Sequence, residues 1–203
     1  MGKKSVLKCD FLQGAVNHRL RFGGGRGQHL PKAVGMKGGQ SPTIIDATAG
    51  LGRDAFLLAS LGSQVTLIER SDIIHELLAA GMDVARQAGG QHKDIMDRMT
   101  LIHGDSITLL PHMQADVVLV DPMHPTRQKS ALVKAEMRAI RDIVGVDEDQ
   151  QLLVETALAM ATKRVVLKWP AKAAPLAGLR PASHQIIGKS IRYDVFMTSK
   201  EGG

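Results

Sequence analysis

A glycine-containing run, Asp46-Ala-Thr-Ala-Gly50-Leu-Gly52, lies between a short apolar segment and an apolar helical segment. Glycines at a strand-to-helix turn allow a ligand to approach the backbone closely. The third glycine of the dinucleotide-binding pattern is absent, because Ala55 stands in its place. This difference argues against NAD and favours S-adenosylmethionine, which has no pyrophosphate. We therefore predict that Asp46, Gly50 and Gly52 contact S-adenosylmethionine.

Polar residues also stand at the ends of the next two predicted strands. Glu69 ends the second strand, 23 residues after Asp46, and a carboxylate there can accept hydrogen bonds from both ribose hydroxyls. Asp105 and Ser106 follow the third strand, where they would flank the adenine, with Asp105 accepting from its exocyclic amine. Ligands bind at the carboxyl ends of strands in open α/β sheets. The alternatives are a surface acid for Glu69 and a helix N-cap for Asp105.

The motif Asp121-Pro122-Met123-His124-Pro125 follows the fourth predicted strand. Its prolines stiffen the backbone and remove amide donors, so that backbone carbonyls and the Asp121 carboxylate face the cleft as acceptors. Such acceptors can orient a weakly nucleophilic amine, such as the exocyclic amine of guanine, toward a methyl donor. We predict Asp121, Pro122 and His124 as catalytic residues, with His124 stacking on a flipped base. The alternatives are an ordinary strand-end acid and a loop histidine without a role.

These residues meet only if strands and helices alternate along the chain. Apolar segments predict five strands, at 43–46, 64–69, 99–103, 116–121 and 164–169. Helical patterns cover 54–61, 72–88, 129–144 and 150–162, and a hairpin is predicted from 185–187 and 192–197. Alternation implies parallel crossovers and a sheet covered on both faces. The predicted fold is α/β: a Rossmann-like class I S-adenosylmethionine-dependent methyltransferase with a seven-stranded, mostly parallel sheet and an antiparallel C-terminal hairpin.

The predicted organisation is a basic, glycine-rich segment over residues 1–42, packing on a Rossmann-like methyltransferase domain over residues 43–203. The glycine cluster Gly23-Gly24-Gly25-Arg26-Gly27 is expected to prevent a regular helix or strand in this segment. Two interpretations stay open: a flexible basic tail, or an ordered loop whose arginines face a phosphate or the active site.

The formal net charge is +6 with a pI near 9.6, and excess positive charge attracts phosphate polymers. With six aromatic residues an extended stacking platform is disfavoured, and a shaped RNA site with one extruded base is favoured. Any single basic residue could instead be a solvated surface charge. The predicted phosphate contacts are Arg19, Arg21, Arg26, Lys129, Lys134, Arg138 and Lys168.

The 121–125 motif resembles the Asp/Asn-Pro-Pro-aromatic signature of amino-group methyltransferases, with Met123 and His124 in place of the second proline and the aromatic residue. From about Asp10 to Met197 the chain resembles the ribosomal RNA small subunit methyltransferase J family, the bacterial 16S rRNA guanine-N2 methyltransferases. The resemblance rests on the runs HR at 18–19, FGGGRG at 22–27, KAVG at 32–35, DATAGLGRD at 46–54, DPM at 121–123, QKSALVK at 128–134, EMR at 136–138 and ATKRVV at 161–166.

The resemblance implies methyl transfer from S-adenosylmethionine to N2 of a guanosine in 16S rRNA, free or in the small ribosomal subunit, in the cytoplasm. The cofactor contacts that it implies are Arg53, Asp54, Glu69, Arg70, Asp105, Ser106 and Asp121. Three departures are present. His124 replaces the usual Phe, Lys168-Trp169-Pro170 replaces Lys-Arg-Pro, and the family's usual N-terminal segment has no counterpart here, which is expected to weaken RNA docking.

Several function classes are disfavoured. Cys9 is the single cysteine, so an internal disulfide and a multi-cysteine zinc site are excluded. No metal site is predicted, and Cys9 is expected in a polar stretch without a partner. No signal-peptide pattern or membrane-spanning run is present, which predicts a cytoplasmic protein without a membrane partner. The alternatives are a methyltransferase with a different acceptor, or a non-catalytic RNA-binding protein on the same fold; an NAD-dependent dehydrogenase is disfavoured.

Overall fold

The computed structural model describes residues 8–13, 25–123 and 149–198. The strands there are β1 Ile44–Asp46, β2 Val65–Glu69, β3 Met99–His103, β4 Ala115–Val120, β5 Ala161–Pro170, β6 His184–Ile187 and β7 Ile191–Met197. The helices there are α1 His29–Ala33, α2 Arg53–Ser60, α3 Asp72–Gln87, α4 Gly90–Met96, α5 Ser106–Leu109 and α6 Gln150–Met160, with 3-10 turns at Gly25–Gly27 and Leu110–His112.

All seven strands form one sheet in the order β3-β2-β1-β4-β5-β7-β6. Strands β1 to β5 pair in parallel, whereas β7 pairs antiparallel with both β5 and β6. This confirms the predicted seven-stranded, mostly parallel sheet with an antiparallel C-terminal hairpin.

Strand β1 lies at the centre of the parallel part, and the strand order reverses between β1 and β4. In register, Asp46 of β1 stands opposite Leu67 of β2 on one side and Leu119 of β4 on the other. Crevices for ligands form outside the carboxyl ends of strands at such a switch point. Asp46, Glu69 and Asp121 therefore all stand at this edge of the sheet.

Apolar side chains cover both faces of the sheet, and this packing fixes the positions at which the strands end. One face packs against α2, α3 and α4 through residues such as Phe56, Leu78 and Met96, and the other packs against α6 through Val154 and Ala157. Burial on both faces explains why the strand centres are continuous runs of β-branched and aliphatic residues.

Element boundaries differ from the predicted ones where one element passes directly into the next. Helix α6 ends at Met160 and β5 begins at Ala161, so the predicted helix to 162 and strand start at 164 were wrong. The short helices α4 and α5 were not predicted. The expectation that glycines exclude regular helix from residues 1–42 is also wrong, because α1 forms there. The predicted helix over 129–144 lies outside the described residues.

Residues 8–13 lie against the part of the sheet that carries the glycine-containing turn. Phe11 is buried and stacks on Phe56 of α2, with 5.0 Å between ring centroids. Cys9 is buried, and its thiol donates to the carbonyl of Leu51 at 3.4 Å. The expectation of a polar setting for Cys9 without a partner was therefore wrong. Across the described ranges, every helix is too short or too polar to cross a membrane.

Candidate active site

A cavity of about 340 Å³ opens at the carboxyl edge of the sheet, across the switch point. This volume lies within the range of small-molecule sites, roughly 300–1,000 Å³. Nine of the residues predicted to bind the cofactor line it: Asp46, Gly50, Arg53, Asp54, Glu69, Arg70, Asp105, Ser106 and Asp121. The tenth predicted cofactor residue, Gly52, does not line the cavity, and neither does the predicted catalytic residue Pro122. The other predicted catalytic residue of this motif, His124, lies outside the described part of the chain.

Both glycines of the turn adopt the left-handed conformation, with φ of 53° at Gly50 and 67° at Gly52. They differ in what surrounds them. A Cβ at Gly50 would meet nothing closer than the Thr48 carbonyl at 3.9 Å, so this glycine leaves room for a ligand. A Cβ at Gly52 would lie 2.8 Å from Cδ1 of the buried Leu78. Gly52 therefore serves the packing of the turn onto the core.

This difference predicts unequal effects of adding one methyl group to the turn. Gly50→Ala and Gly52→Ala incur similar backbone strain, but only Gly52→Ala also overpacks the core, which costs about 1–3 kcal/mol more. We expect urea unfolding to show the larger loss of stability for Gly52→Ala. Gly50→Ala should instead weaken S-adenosylmethionine binding in calorimetry, since its methyl group projects toward the cavity. Equal loss of stability in the two variants would contradict the packing role of Gly52.

Glu69 joins the glycine turn to the start of α3. Its carboxylate accepts from the backbone N–H of Gly50 and from that of Ser71, each at 2.9 Å. Burial raises the pKa of Glu69, and these two hydrogen bonds act in the opposite direction. Because a carboxylate oxygen has more than one acceptor direction, both oxygens retain capacity for the ribose hydroxyls. Glu69 is thus a part of the turn as well as the predicted ribose ligand.

Asp105 and Ser106 stand after β3, at the start of α5. Oδ1 of Asp105 accepts from the Ile107 backbone N–H at 2.8 Å, so the N-cap alternative is correct for this oxygen. The carboxylate also lines the cavity, and contact with adenine stays a prediction for it. Ser106 is buried and donates from Oγ to the Ala47 carbonyl at 2.7 Å. Its hydroxyl ties the end of β1 to α5.

The other end of the cavity contains three carboxylates and one ammonium group. Nζ of Lys168, on β5, lies 2.7 Å from Oδ2 of Asp54 and 2.7 Å from Oδ2 of Asp121. Asp46 is buried beside them, and its Oδ1 accepts from the Thr48 backbone N–H at 3.2 Å. The backbone N–H of Asp121 donates to Oγ1 of Thr48 at 2.7 Å, which connects the ends of β1 and β4.

Asp46, Asp54, Asp121 and Lys168 form an acidic cluster. Charge and burial shift the pKa values of Asp46, Asp121 and Lys168 in this cluster. Burial, and then the charge of Asp54, raise the pKa of Asp46 from 3.8 to about 7. Burial also raises the pKa of Asp121, while Lys168 opposes that shift. Burial would lower the pKa of Lys168, but the carboxylates of Asp121 and Asp54 outweigh it, and the net shift is upward. Lys168 therefore stays protonated at any physiological pH.

An ion pair lies at the rim of the cavity. Nη1 of Arg70 lies 2.9 Å from Oδ2 of Asp149, and the two residues are separated by 79 positions in the chain. The next residue, Gln150, donates from Nε2 to the Met123 carbonyl at 3.2 Å. Both contacts fasten the start of α6 to the strand ends. The cavity is also lined by residues that were not predicted to line it, among them Met123, Asp149, Leu153 and Lys168.

Two of the residues predicted to contact RNA have hydrogen-bond partners within the protein. The Arg26 guanidinium donates to the carbonyls of Gln40 and Leu61, at 2.9 and 3.0 Å, and to Oγ of Ser41 at 3.0 Å. Lys168 belongs to the acidic cluster. Both side chains therefore have protein partners, and a contact between either of them and an RNA phosphate stays a prediction. The remaining predicted contacts, Arg19, Arg21, Lys129, Lys134 and Arg138, lie outside the described residues.

Comparison with known proteins gives consistent matches over nearly the whole chain. The family model described as "Putative SAM-dependent methyltransferase" matches residues 1–198. A protein of Agrobacterium fabrum named ribosomal RNA small subunit methyltransferase J is 61% identical over 93% of this chain and 90% of its own length. A Brucella anthropi protein of the same name is 60% identical over 97% and 96%. The crystal structure of a SAM-dependent methyltransferase from Neisseria gonorrhoeae aligns with a TM-score of 0.78 at 34% identity, covering 100% of this chain and 78% of that one.

Proposed function

Because this chain belongs to the SAM-dependent methyltransferases, in the family of ribosomal RNA small subunit methyltransferase J, we propose that it methylates the exocyclic N2 of a guanosine in 16S rRNA. One observation carries the proposal: Glu69 and Asp121 line the same cavity, at opposite sides of the switch point. A cofactor held at Glu69 and an amine held at Asp121 would therefore share one cavity.

The chemical character of the cavity fits S-adenosylmethionine. The open space above Gly50 admits a ligand close to the backbone, Glu69 offers oxygens to a ribose, and Asp105 offers them to an adenine amine. Asp46, Ser106, Arg53, Asp54 and Arg70 complete the set of residues that we propose to hold the cofactor. S-adenosylmethionine supplies an electrophilic methyl group on a sulfonium sulfur, whose positive charge suits a cavity rich in carboxylates.

Asp121 is the residue that we propose to orient the amine. A guanine N2 amine is a weak nucleophile because its lone pair is delocalised into the ring. When Asp121 and a backbone carbonyl after β4 accept its two hydrogens, the lone pair points away from both and toward the methyl donor. As the new nitrogen–carbon bond forms, the methyl–sulfur bond breaks and S-adenosylhomocysteine leaves. The amine gives up one proton, and the Asp121 carboxylate is placed to accept it. Pro122 stiffens this turn, and we propose that His124 stacks on the extruded base.

The RNA partner requires a positive surface near the catalytic edge of the sheet. Lys172 follows β5, Lys189 lies in the turn between β6 and β7, and both are exposed. The backbone N–H of Ala171 donates to the Ser190 carbonyl at 3.1 Å, which holds the two loops together. We propose these lysines as phosphate contacts, in addition to those predicted outside the described residues, because they stand at the same edge as Asp121. We propose 16S rRNA as the substrate and the cytoplasm as the compartment in which it is methylated.

Replacing Lys172 and Lys189 together by alanine should weaken binding to 16S rRNA about tenfold near physiological salt. The slope of log affinity against log salt should become shallower by about one for each lysine. Lys163→Ala is the matched control, because Lys163 lies at the opposite end of β5 and pairs with Asp116 at 3.0 Å. An unchanged slope in the double variant, or an equal change in the control, would place the RNA elsewhere.

The proposed function is tested by supplying the purified protein with labelled S-adenosylmethionine and rRNA from a bacterium that lacks its own copy of this methyltransferase. We expect label in 16S rRNA and not in 23S rRNA, and N2-methylguanosine on digestion to nucleosides. Naked 16S rRNA and intact small subunits are compared in parallel. Label on a different nucleoside would correct the acceptor atom. Cofactor binding without transfer to either form of 16S rRNA would overturn the proposal.

A further inference from the structure

We propose that Lys168 is a positioning residue for the methyl transfer: anchored by Asp54, its ammonium group holds the Asp121 carboxylate in the orientation that receives the amine. This inference rests on the proposed function, since it concerns the same reaction. It replaces the phosphate contact that was predicted for Lys168 and gives Asp54 a role beyond the cofactor.

The contacts of Lys168 are short and come from two different elements. Asp54 lies in the first turn of α2, Asp121 follows β4, and each places one Oδ2 at 2.7 Å from Nζ. The Lys168 side chain is 20% exposed, so its charge is largely shielded from water. An ammonium group has three donors, and two of them are directed at these carboxylates. The geometry leaves little of the charge to a phosphate at the surface.

Only one oxygen of Asp121 is used by Lys168. Within the described residues, Oδ1 has no hydrogen-bond partner, and the backbone N–H of Asp121 is held by Thr48. Asp121 is thus held at two points, its Oδ2 and its backbone N–H. The other carboxylate oxygen, Oδ1, is the one that can accept from the amine. A side chain that is fixed at two points has little rotational freedom to lose when substrate binds.

The charges around Asp121 explain why a cation is needed here. The charged groups that face it are Asp46 from the end of β1, Asp54 from α2 and Lys168 from β5. Without the ammonium group, three carboxylates would share a partly buried site, and like charges favour protonation of at least one of them. A protonated Asp121 would donate a hydrogen bond where an acceptor is required.

The test compares Lys168→Met, Lys168→Arg and Lys163→Met in the whole 203-residue chain. For Lys168→Met we expect a loss of about 100-fold in kcat, little change in the KM for S-adenosylmethionine, and an acid limb of the kcat–pH profile that moves to higher pH. Lys168→Arg should restore the position of the acid limb, because a guanidinium group can bridge two carboxylates, while recovering only part of kcat. Lys163→Met should behave as the wild type.

A second measurement does not depend on turnover. In protein labelled with ¹³C at aspartate Cγ, the Asp121 signal is assigned by its absence from Asp121→Asn, and its titration midpoint should rise in Lys168→Met. An unchanged midpoint with intact thermal unfolding would overturn the proposal. So would a raised KM for S-adenosylmethionine at unchanged kcat, which would assign Lys168 to the cofactor carboxylate, or a shallower salt slope for RNA, which would restore the phosphate contact. Failure of the wild type to methylate rRNA would refute the proposed function without affecting the titration result.

Discussion

Asp121→Ala is expected to lower kcat for methyl transfer to 16S rRNA by a factor on the order of 10²–10⁴, the range for loss of a positioned acid–base group. The fold should survive, because the residue follows the buried end of β4 and the Asp121 backbone N–H keeps its bond to Thr48. The Asp121 side chain is 41% exposed, so its removal leaves no closed cavity in the core. Single-turnover kinetics at saturating cofactor measure the effect directly.

Two further variants separate the contributions of Asp121. Asp121→Asn keeps an acceptor oxygen but removes the charge, and should fall between the wild type and the alanine variant. Asp116→Ala is the matched control, because Asp116 lies near the start of the same strand, at the opposite edge of the sheet. It should leave kcat unchanged. Near-normal transfer by Asp121→Ala would remove this residue from the catalytic role, and a change confined to the KM for S-adenosylmethionine would assign it to cofactor binding.

The strand ends that carry the cavity were predictable from the sequence because apolar runs fix where buried strands stop. The run Val117-Val118-Leu119-Val120 leaves Asp121 as the first polar residue, and β2 ends in the same way at Glu69. Parallel strands present their carboxyl ends at one edge of the sheet. The positions of the strand ends therefore largely predict which residues come together at the cavity. The glycine turn was found for the same reason, because it directly follows a strand.

The partners of the basic residues could not be predicted, because they depend on packing between distant parts of the chain. Lys168 is 114 residues from Asp54 and 47 from Asp121, and Arg26 is 35 residues from the carbonyl of Leu61. One signal was present for Lys168: it interrupts the apolar run of β5, where a charge needs a buried partner. Arg26 offered no such signal, because its partners are backbone carbonyls.

The short helix α1 shows a second limit of local sequence patterns. It contains Pro31 and follows a glycine cluster, both of which disfavour a helix interior. Within five residues, however, Pro31 stands in the first turn, where its missing N–H costs no hydrogen bond. The burial of Leu30, Pro31 and Ala33 against the core then outweighs the local preference. Tertiary packing thus decides the structure of a segment whose composition indicated a loop.

A substitution in the acidic cluster is expected to raise the free energy of unfolding, whereas most substitutions lower it. Asp46→Asn is expected to stabilise the protein without cofactor at pH 8 by up to about 4 kcal/mol, since the pKa of Asp46 rises from 3.8 to about 7 on folding and each pKa unit corresponds to about 1.36 kcal/mol. Asparagine is neutral at every pH and can still accept from the Thr48 backbone N–H, so it removes the cost of a buried charge and keeps the hydrogen bond.

The pH dependence follows from the direction of that shift. Between about pH 4 and 7 the folded protein holds a proton on Asp46 that the unfolded chain has released. Rising pH therefore favours the unfolded state, and the contribution of Asp46 to stability falls through this window and becomes constant above it. Asp116→Asn is the opposite control. Burial acts to raise the pKa of Asp116, but its hydrogen bonds, above all the one with Lys163, outweigh burial and lower the pKa. Removal of the Asp116 charge in Asp116→Asn should therefore destabilise the protein at pH 8.

The buried Asp46 carboxylate destabilises the protein without ligand, and we expect its charge to strengthen the binding of a cation in the cavity. The ionised Asp46 attracts a sulfonium or ammonium group, so the affinity for S-adenosylmethionine should rise between pH 6 and 8 in the wild type, with net release of a proton on binding below pH 7. Calorimetry in buffers of different ionisation enthalpy measures that proton. Asp46→Asn should bind the cofactor more weakly and without proton release. Proton release that persists in Asp46→Asn would assign the released proton to another group. Urea unfolding of Asp46→Asn at pH 8 that shows no gain in stability would mean that the Asp46 charge is neutralised within the acidic cluster.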